Sequence, residues 1–452
     1  MLDLVISNGI VIDTKNTEQH PLNIGIKDNK IVVATNDVLE GIESIDATGL
    51  YVCPGFIDPH GHIDGHPYSG ELSACQGITT TIGGNCGLSP LSTGHFLREQ
   101  EEKGFIINQA ELIGHSFTLR KQAGISDVYR KATNKEIDRM CGLASEALEE
   151  GACGISFGLD YSPGASYEEI LQLAKVCAKY DKVMPVHTRL FTLYDNHSLY
   201  EMLSIARATC VKLLISHFVY QYGEGLMEDA LEIIEKARQS GLNIMLDSGM
   251  YTNWATLVDT ATFDERTLRD NDVMLSKLIV ATGKYYGRHL TPSLYKELRK
   301  YHKDDSIICI TNCKDEMYMA LNRSYCMPST DIGPYQKGEG HPQIAGTYPK
   351  YIKEMVRERG DLSIEMAVKK ASYLPAKLFG FCNKGQIDVG YDADITILNL
   401  QEIEDLARFP HEGYPDTKPK GIYYVIINGK IVVDQGMTRN ERAGRVIDGR
   451  NG

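Results

Sequence analysis

Six residues of types that bind metals or carry protons sit at the ends of apolar runs. The stretch Phe56-Ile57-Asp58-Pro59-His60-Gly61-His62 closes in His-x-His. Side chains two apart on a strand share a face, so both imidazoles converge there, and two neutral imidazoles make a good pair of metal ligands. The β-rich run Thr79-Thr80-Thr81-Ile82 leads through Gly83-Gly84-Asn85 to Cys86, whose thiolate could ligate zinc and bridge two metals. His187 ends the run Val183–Val186, His217 ends Leu213–Ser216, and Asp331 follows Cys326-Met327-Pro328-Ser329-Thr330. Each has an ordinary reading alone: a hydrogen-bonded strand-end histidine, an inert core thiol, an aspartate forming a turn. Taken as a set they describe a metal site. Of the remaining histidines, His66 and His115 are the ones expected near it.

The elements that must position these residues alternate. Gly154–Leu159 is followed by a helical pattern over Glu168–Cys177, and Val183–His187 by one near Leu199–Ala208. Leu213–His217 is followed by one over Met227–Gln239, then by the apolar run Asn243–Asp247. Continuous apolar strands alternating with helices predict buried parallel β-structure, and eight such units fit residues 56–389 as an α/β, (β/α)8 TIM barrel. Catalytic groups in such a barrel gather at the C-terminal ends of the strands, where these six lie. Both ends of the chain read instead as short antiparallel strands. Leu4–Ile6, Ser7-Asn8-Gly9 as a turn, Ile10–Ile12 and Asn23–Val33 stand at one end, and Asp394–Leu398 with Tyr424–Val433 at the other. They predict a small β-sandwich domain from residues 1–54 and 390–452, with 55–389 as the barrel. A polar stretch at about 252–303 breaks the rhythm and is expected to be an insertion over the barrel mouth.

The chain has 452 residues, 42% hydrophobic and 24% charged, enough for a barrel and a smaller module. A formal charge of -13 excludes nucleic acid and anionic membrane as expected partners, and leaves a homo-oligomer open. No stretch approaches the ~18 apolar residues of a membrane span, and the first residues lack the pattern of a signal peptide. Eleven cysteines without paired spacing suit a reducing compartment, so the expected location is cytoplasmic.

Several of these segments resemble the amidohydrolase superfamily, and within it the D-aminoacylase (N-acyl-D-amino-acid deacylase) branch. The resemblance runs nearly end to end. It covers Pro54–His62, Gln76–Thr80 leading to Gly84-Asn85-Cys86-Gly87, Ile113-Gly114-His115 with Arg120, Gly151–Gly164, and the closing Gly385–Asp394. The cysteine of Asn-Cys-Gly separates this branch from relatives that bridge with a carboxylated lysine. The resemblance implies that Cys86, His187 and His217 hold one tightly bound Zn2+. It implies that His60 and His62, sharing Cys86, form a second and weaker position, and that Asp331 is the catalytic carboxylate. The implied activity is zinc-dependent hydrolysis of a C–N amide bond in a small molecule.

Two departures bear on the substrate. The branch follows the sixth-strand histidine with His and Lys, whereas here Phe218 and Val219 follow; it reads His-Pro-Arg after the catalytic Asp, where this chain has His341-Pro342-Gln343. Both missing basic residues are associated with the substrate carboxylate, and an unpaired carboxylate in a partly dry pocket is costly. Arg189, Lys314, Lys284 and Arg288 are candidate replacements, while Phe218, Tyr251 and Trp254 suit an apolar pocket; Tyr161 and Gln343 complete the expected substrate-binding residues. The expected substrate is thus an uncharged or differently charged amide, linear or cyclic. The alternative activity is that of a cyclic-amide hydrolase of the dihydroorotase or hydantoinase kind.

Overall fold

The computed structural model describes residues 1–189 and 195–451. Eight parallel strands form the central barrel: β1 Phe56–Asp58, β2 Ile78–Gly83, β3 Asn108–Glu111 (resuming after Leu112 as Ile113–Gly114), β4 Ile155–Gly158, β5 Val183–His187, β6 Lys212–Ile215, β7 Ile244–Ser248 and β8 Cys326–Pro328. Each pairs with the next in chain order, as in Ile57 with Thr80, Phe157 with Val186 and Leu246 with Cys326. Closure between β8 and β1 occurs just past the strand ends, where Gly61 bridges Ile332. There the Asp331 N–H donates to the His60 carbonyl and the His62 N–H to the Ile332 carbonyl, both at 2.8 Å. Asp58 ties the same seam from inside. Fully buried, it accepts from the Thr330 N–H at 3.0 Å and the Thr330 hydroxyl at 2.5 Å.

β2, β4 and β5 are buried at every position, which is why their sequences are continuously apolar or β-branched rather than alternating. The outer helices begin on sequence-coded caps. Thr133 with Glu136 and Ser166 with Glu169 form capping boxes, each satisfying two otherwise orphaned N–H donors.

A separate nine-stranded sheet joins the two ends of the chain, from Leu2–Asp13 through Tyr51–Pro54 to Ile395–Leu398 and Met437–Thr438. It covers its own core of Leu4, Ile6, Ile24, Ile26, Ile395, Ile397 and Ile426. Ser7-Asn8-Gly9 does not turn the chain. Leu2–Asp13 is one strand with a bulge, because Asn8 adopts φ 61° and shifts the register between Ile6 and Gly9 against the next strand. Asn428-Gly429, with φ 47° and 80°, does make the tight hairpin turn between Ile422–Ile427 and Lys430–Asp434. The segment after Thr438 leaves this sheet for the barrel: Gly444 bridges Phe105, Val446 bridges Gln109, and the Gly449 N–H reaches the Gly151 carbonyl.

The insertion is longer than its polarity suggests. Its three strands, Trp254–Leu257, Leu278–Val280 and Ser306–Cys309, form an antiparallel sheet with the last in the middle, so it extends to Cys309 and not to about 303. The strand at 306–309 is apolar because it fills a local core of Phe263, Leu278, Leu290, Leu298 and Ile307. Among the described residues no helix is long and apolar enough to cross a membrane.

Candidate metal centre and active-site cavity

Three residues of the set take the left-handed backbone conformation: Cys86 at φ 50°, His217 at φ 33° and Asp331 at φ 52°. For residues with a Cβ this costs on the order of 1–2 kcal/mol each. It turns the chain sharply at the end of β2, β6 and β8, so that each side chain folds back over the barrel mouth. Glycines make room for it. A Cβ at Gly158 would land on the Cys86 carbonyl oxygen, and one at Gly84 on the Leu112 carbonyl. Ser156 holds the same loop by donating to the Gly84 carbonyl and accepting from the Gly87 N–H.

The Cys86 sulfur lies 3.3 Å from His60 Nε2, 3.5 Å from His217 Nε2 and 3.8 Å from His187 Nδ1. Asp331 Oδ1 lies 3.2 Å from His62 Nε2 and 3.5 Å from His60 Nε2. Two sets of donor atoms fall mutually within 4.8 Å: His60, Cys86 and His217, and His60, His62 and Asp331. His187 stands one step further out, reached through the thiol. His60 and His62 lie beyond the end of β1 rather than on it, so the bend at Pro59 and the pairing of Gly61 make them converge, with ring centroids 5.3 Å apart.

Neighbours fix which nitrogen of each ring faces the thiol. His217 Nδ1 donates to Gln221 Oε1 at 2.7 Å, and His187 Nε2 to Asp160 Oδ2 at 3.0 Å, leaving the other nitrogen of each ring turned to Cys86. Asp247, at the end of β7, accepts from the His217 backbone N–H at 2.8 Å and the Ser329 hydroxyl at 2.6 Å, with its second oxygen 3.6 Å from His60 Nδ1. Asp160 and Asp247 carry no signal of this kind in the sequence, where an aspartate after an apolar run is indistinguishable from a turn former.

The electrostatics follow from this packing. Burial pushes the Cys86 thiol up, but His60 and His217 outweigh it and hold the thiol well below its ordinary range. Burial also opposes ionisation of Asp331, yet its hydrogen bond to His62 and the charges of His60, His217 and His62 keep it below the usual carboxylate value. Against burial, Asp331 and Cys86 draw His62 up to about 10, and Asp160 and Cys86 draw His187 up to about 9. These rings hold protons because anionic partners surround them. A thiolate and four imidazoles converging in a buried pocket suit a borderline-soft divalent cation, which would take the protons' place.

Above the cluster lies a cavity of about 200 Å³. Its walls include Phe117, Tyr161, Tyr220, Trp254, Leu257 and Tyr335, and among the described residues lining it there is no Lys or Arg. Tyr161 and Trp254 are therefore wall residues; the other expected substrate contacts are elsewhere. Arg189 is committed to Glu201 at 3.0 Å and to the Pro163 and Ala165 carbonyls. Phe218 is fully buried against Tyr222, because the left-handed turn at His217 points the next residue into the core. Tyr251 packs edge-on to His341 and Phe409 beneath the Lys350 ammonium. Gln343 reaches the centre from behind, donating to the Asp331 carbonyl while its own side-chain oxygen accepts from Tyr220. Lys284 and Arg288 sit on Tyr285, and Lys314 on Tyr318, away from the cavity. His115 is buried in a structural cluster with Glu169 and Arg120, and His66 caps the helix Pro67–Cys75.

The eight-stranded barrel with histidines, a cysteine and an aspartate at its C-terminal mouth defines the class, and the amidohydrolase family model matches residues 51–432. The chain belongs to the amidohydrolase family and is a metal-dependent hydrolase acting on non-peptide amide bonds. It is 28% identical to the D-aminoacylase of Alcaligenes xylosoxydans xylosoxydans, over 98% of this chain and 97% of that protein. It is 27% identical to the N-acyl-D-glutamate deacylase of the same organism, over 99% and 96%. A crystal structure of D-aminoacylase superposes with a TM-score of 0.89 at 27% identity, covering 99% of this chain and 100% of that one. The N-acyl-D-glutamate deacylase of Bordetella bronchiseptica, complexed with zinc and a phosphonate mimic of the tetrahedral intermediate, gives 0.87 at 25%, covering 99% of each chain.

Proposed function

We propose that this enzyme uses zinc to hydrolyse a C–N amide bond in a small molecule whose reacting end carries no carboxylate. The observation that carries the reading is the meeting of the Cys86 sulfur with three imidazole nitrogens at 3.3–3.8 Å, beside Asp331 and under an apolar cavity. In this reading Cys86, His187 and His217 hold the tighter ion, and His60 and His62, sharing Cys86, a weaker second position. A solved D-aminoacylase with a binuclear metal centre and a deacylase complexed with zinc support the metal.

Zinc in such a set supplies Lewis acidity and brings the pKa of a coordinated water to about 7. The protein does the rest. Asp331, kept ionised by His62 and His60, accepts the proton of the attacking water and returns it to the departing nitrogen. Asp160 and Gln221 hold two rings at fixed orientation, and the aromatic walls exclude bulk water. A carboxylate next to the scissile bond would find no Lys or Arg among the described wall residues, and leaving it unpaired is expensive.

The test is a panel of N-acyl-D- and L-amino acids, neutral N-alkyl amides and cyclic amides, assayed with zinc-loaded protein. Within this panel the neutral amides are expected to be cleaved faster than the N-acyl-amino acids, whose carboxylate lies next to the scissile bond. Selective, rapid hydrolysis of N-acetyl-D-amino acids would overturn the substrate reading, and preference for hydantoins or dihydroorotate would favour the cyclic-amide alternative.

A further inference from the structure

A second chamber opens behind Trp254. It shares Asp160, Tyr220, Gln221, Trp254 and Thr262 with the cavity over the metal centre, and continues between the barrel and the insertion. It holds about 60 Å³, room for roughly four water molecules, about the size of the charged end of a free amino acid. Its chemistry differs from that of the first chamber. Asn271 is 3% exposed, yet its side-chain oxygen has no hydrogen-bond partner while its amide donates to the Thr267 carbonyl at 3.0 Å. The Thr262 hydroxyl, also buried and lining the chamber, is likewise without a partner. Unmet polar atoms in a buried place are costly, a cost a ligand removes. At the rim stand Lys277, Glu224 and Asp272, none in an ion pair among the described residues. Lys277 is the one Lys or Arg lining either chamber among the described residues.

We infer that the second chamber binds the zwitterionic head group of an amino acid, so that the amide cleaved at the metal centre is carried at the far end of that amino acid's side chain. The inference rests on the amide-hydrolase reading above and extends it. Lys277 takes the carboxylate. Glu224, Asp272 and the acceptor oxygen of Asn271 take the ammonium group, whose three donors match them. An apolar tether crosses the aromatic chamber, whose described lining holds no Lys or Arg. In the reaction the acyl carbon gains the oxygen of water, its bond to the side-chain nitrogen breaks, and the proton goes to the released amine.

Four acetamides of similar length separate the contributions: Nε-acetyl-lysine, N-acetyl-6-aminohexanoate, N-acetyl-cadaverine and N-acetyl-hexylamine. Trp254 is the chain's single tryptophan and forms a wall of both chambers, so its fluorescence reports binding independently of turnover. With zinc-loaded protein the zwitterion should bind at least tenfold more tightly than the hexylamide. Lys277→Ala should weaken roughly tenfold only the two compounds with a carboxylate, and paired Glu224→Gln and Asp272→Asn only the two with an ammonium group. All three substituted residues are exposed, so folding is not at stake. Equal binding of all four, or an equal effect of Lys277→Ala on each, overturns the inference even if every compound is hydrolysed. The ordered binding without hydrolysis of any of the four would keep the chamber's assignment and remove the hydrolase reading.

Discussion

A thiol enclosed by imidazoles ionises because each ring offers it a proton or a positive charge, and a carboxylate beside the same rings does likewise. Cys86 and Asp331 are in this sense two anions sharing one set of cations, His60 between them. In the proposed mechanism Cys86 would be engaged by the metal and Asp331 would be the anion left to handle protons. Asp331→Asn should keep its zinc and lose at least ~10²–10⁴-fold in kcat; near-normal turnover at matched zinc content would remove Asp331 from the role. Asp247 does not line the cavity but holds His217 through its backbone and faces His60. Asp247→Ala should weaken zinc binding about 10–100-fold in a competitive chelator titration, and unchanged affinity would show that those contacts are incidental. At this scale the sequence exposed residue types able to bind metal, because six of them sit at the ends of apolar runs and only as a set do they stand out. It did not expose Asp160, Gln221 or Asp247, whose part depends on facing a particular ring. Nor could it say that the backbone reverses at His217, which sends Phe218 into the core rather than the cavity.

At the scale of elements, the site depends on tight turns leaving β2, β6 and β8. Their side chains are aimed by positive φ angles that only close packing maintains. Gly158 on β4 is the clearest case, because its missing Cβ leaves the space occupied by the Cys86 carbonyl. Gly158→Ala should push the Cys86 loop away and lower both zinc content and activity at least tenfold while the barrel still folds. A fully metallated, active variant would show that the loop tolerates the shift. The helices and most barrel strands were legible from period and burial, as Met227–Gln239 and Val183–His187 illustrate. The bulge at Asn8 was not, since an Asn-Gly pair favours a turn and a bulge for the same conformational reason. The end of the insertion was missed because the apolar strand Ser306–Cys309 serves a local core that charge patterning does not mark.

At the scale of the whole molecule, the barrel, the insertion and the sheet formed by both chain ends each bury their own core, and the segment following Thr438 returns to strap the barrel. Lys370 is an anomaly in this packing. It is fully buried with the Leu321 carbonyl as partner, and burial lowers its pKa from 10.5 to about 8, partly offset by Cys326. Below pH 8 the amine is charged in both folded and unfolded chains, and the cost of burying that charge is fully present. Between about 8 and 10.5 the folded chain releases the proton first, so the group's contribution to stability rises with pH, by about 3 kcal/mol at most. The advantage in unfolding free energy of Lys370→Met over the parent should therefore be greatest at pH 7 and shrink towards pH 10.5. A difference that stays constant across that range would place the lysine's cost elsewhere. The β-rich character of both ends, whose strands share one sheet, was legible from their alternating pattern. The return of the last segment was not, since it rests on backbone bonds of residues whose side chains carry no pattern.

The central claim is that Cys86 and histidines distant in sequence bind one cation together. X-ray absorption at the zinc edge on the loaded protein tests it most directly, compared with Cys86→Ser. The account predicts one sulfur scatterer at about 2.3 Å with nitrogen neighbours at about 2.0–2.1 Å, the sulfur vanishing in the variant. A zinc environment of nitrogen and oxygen alone in the parent protein would contradict it.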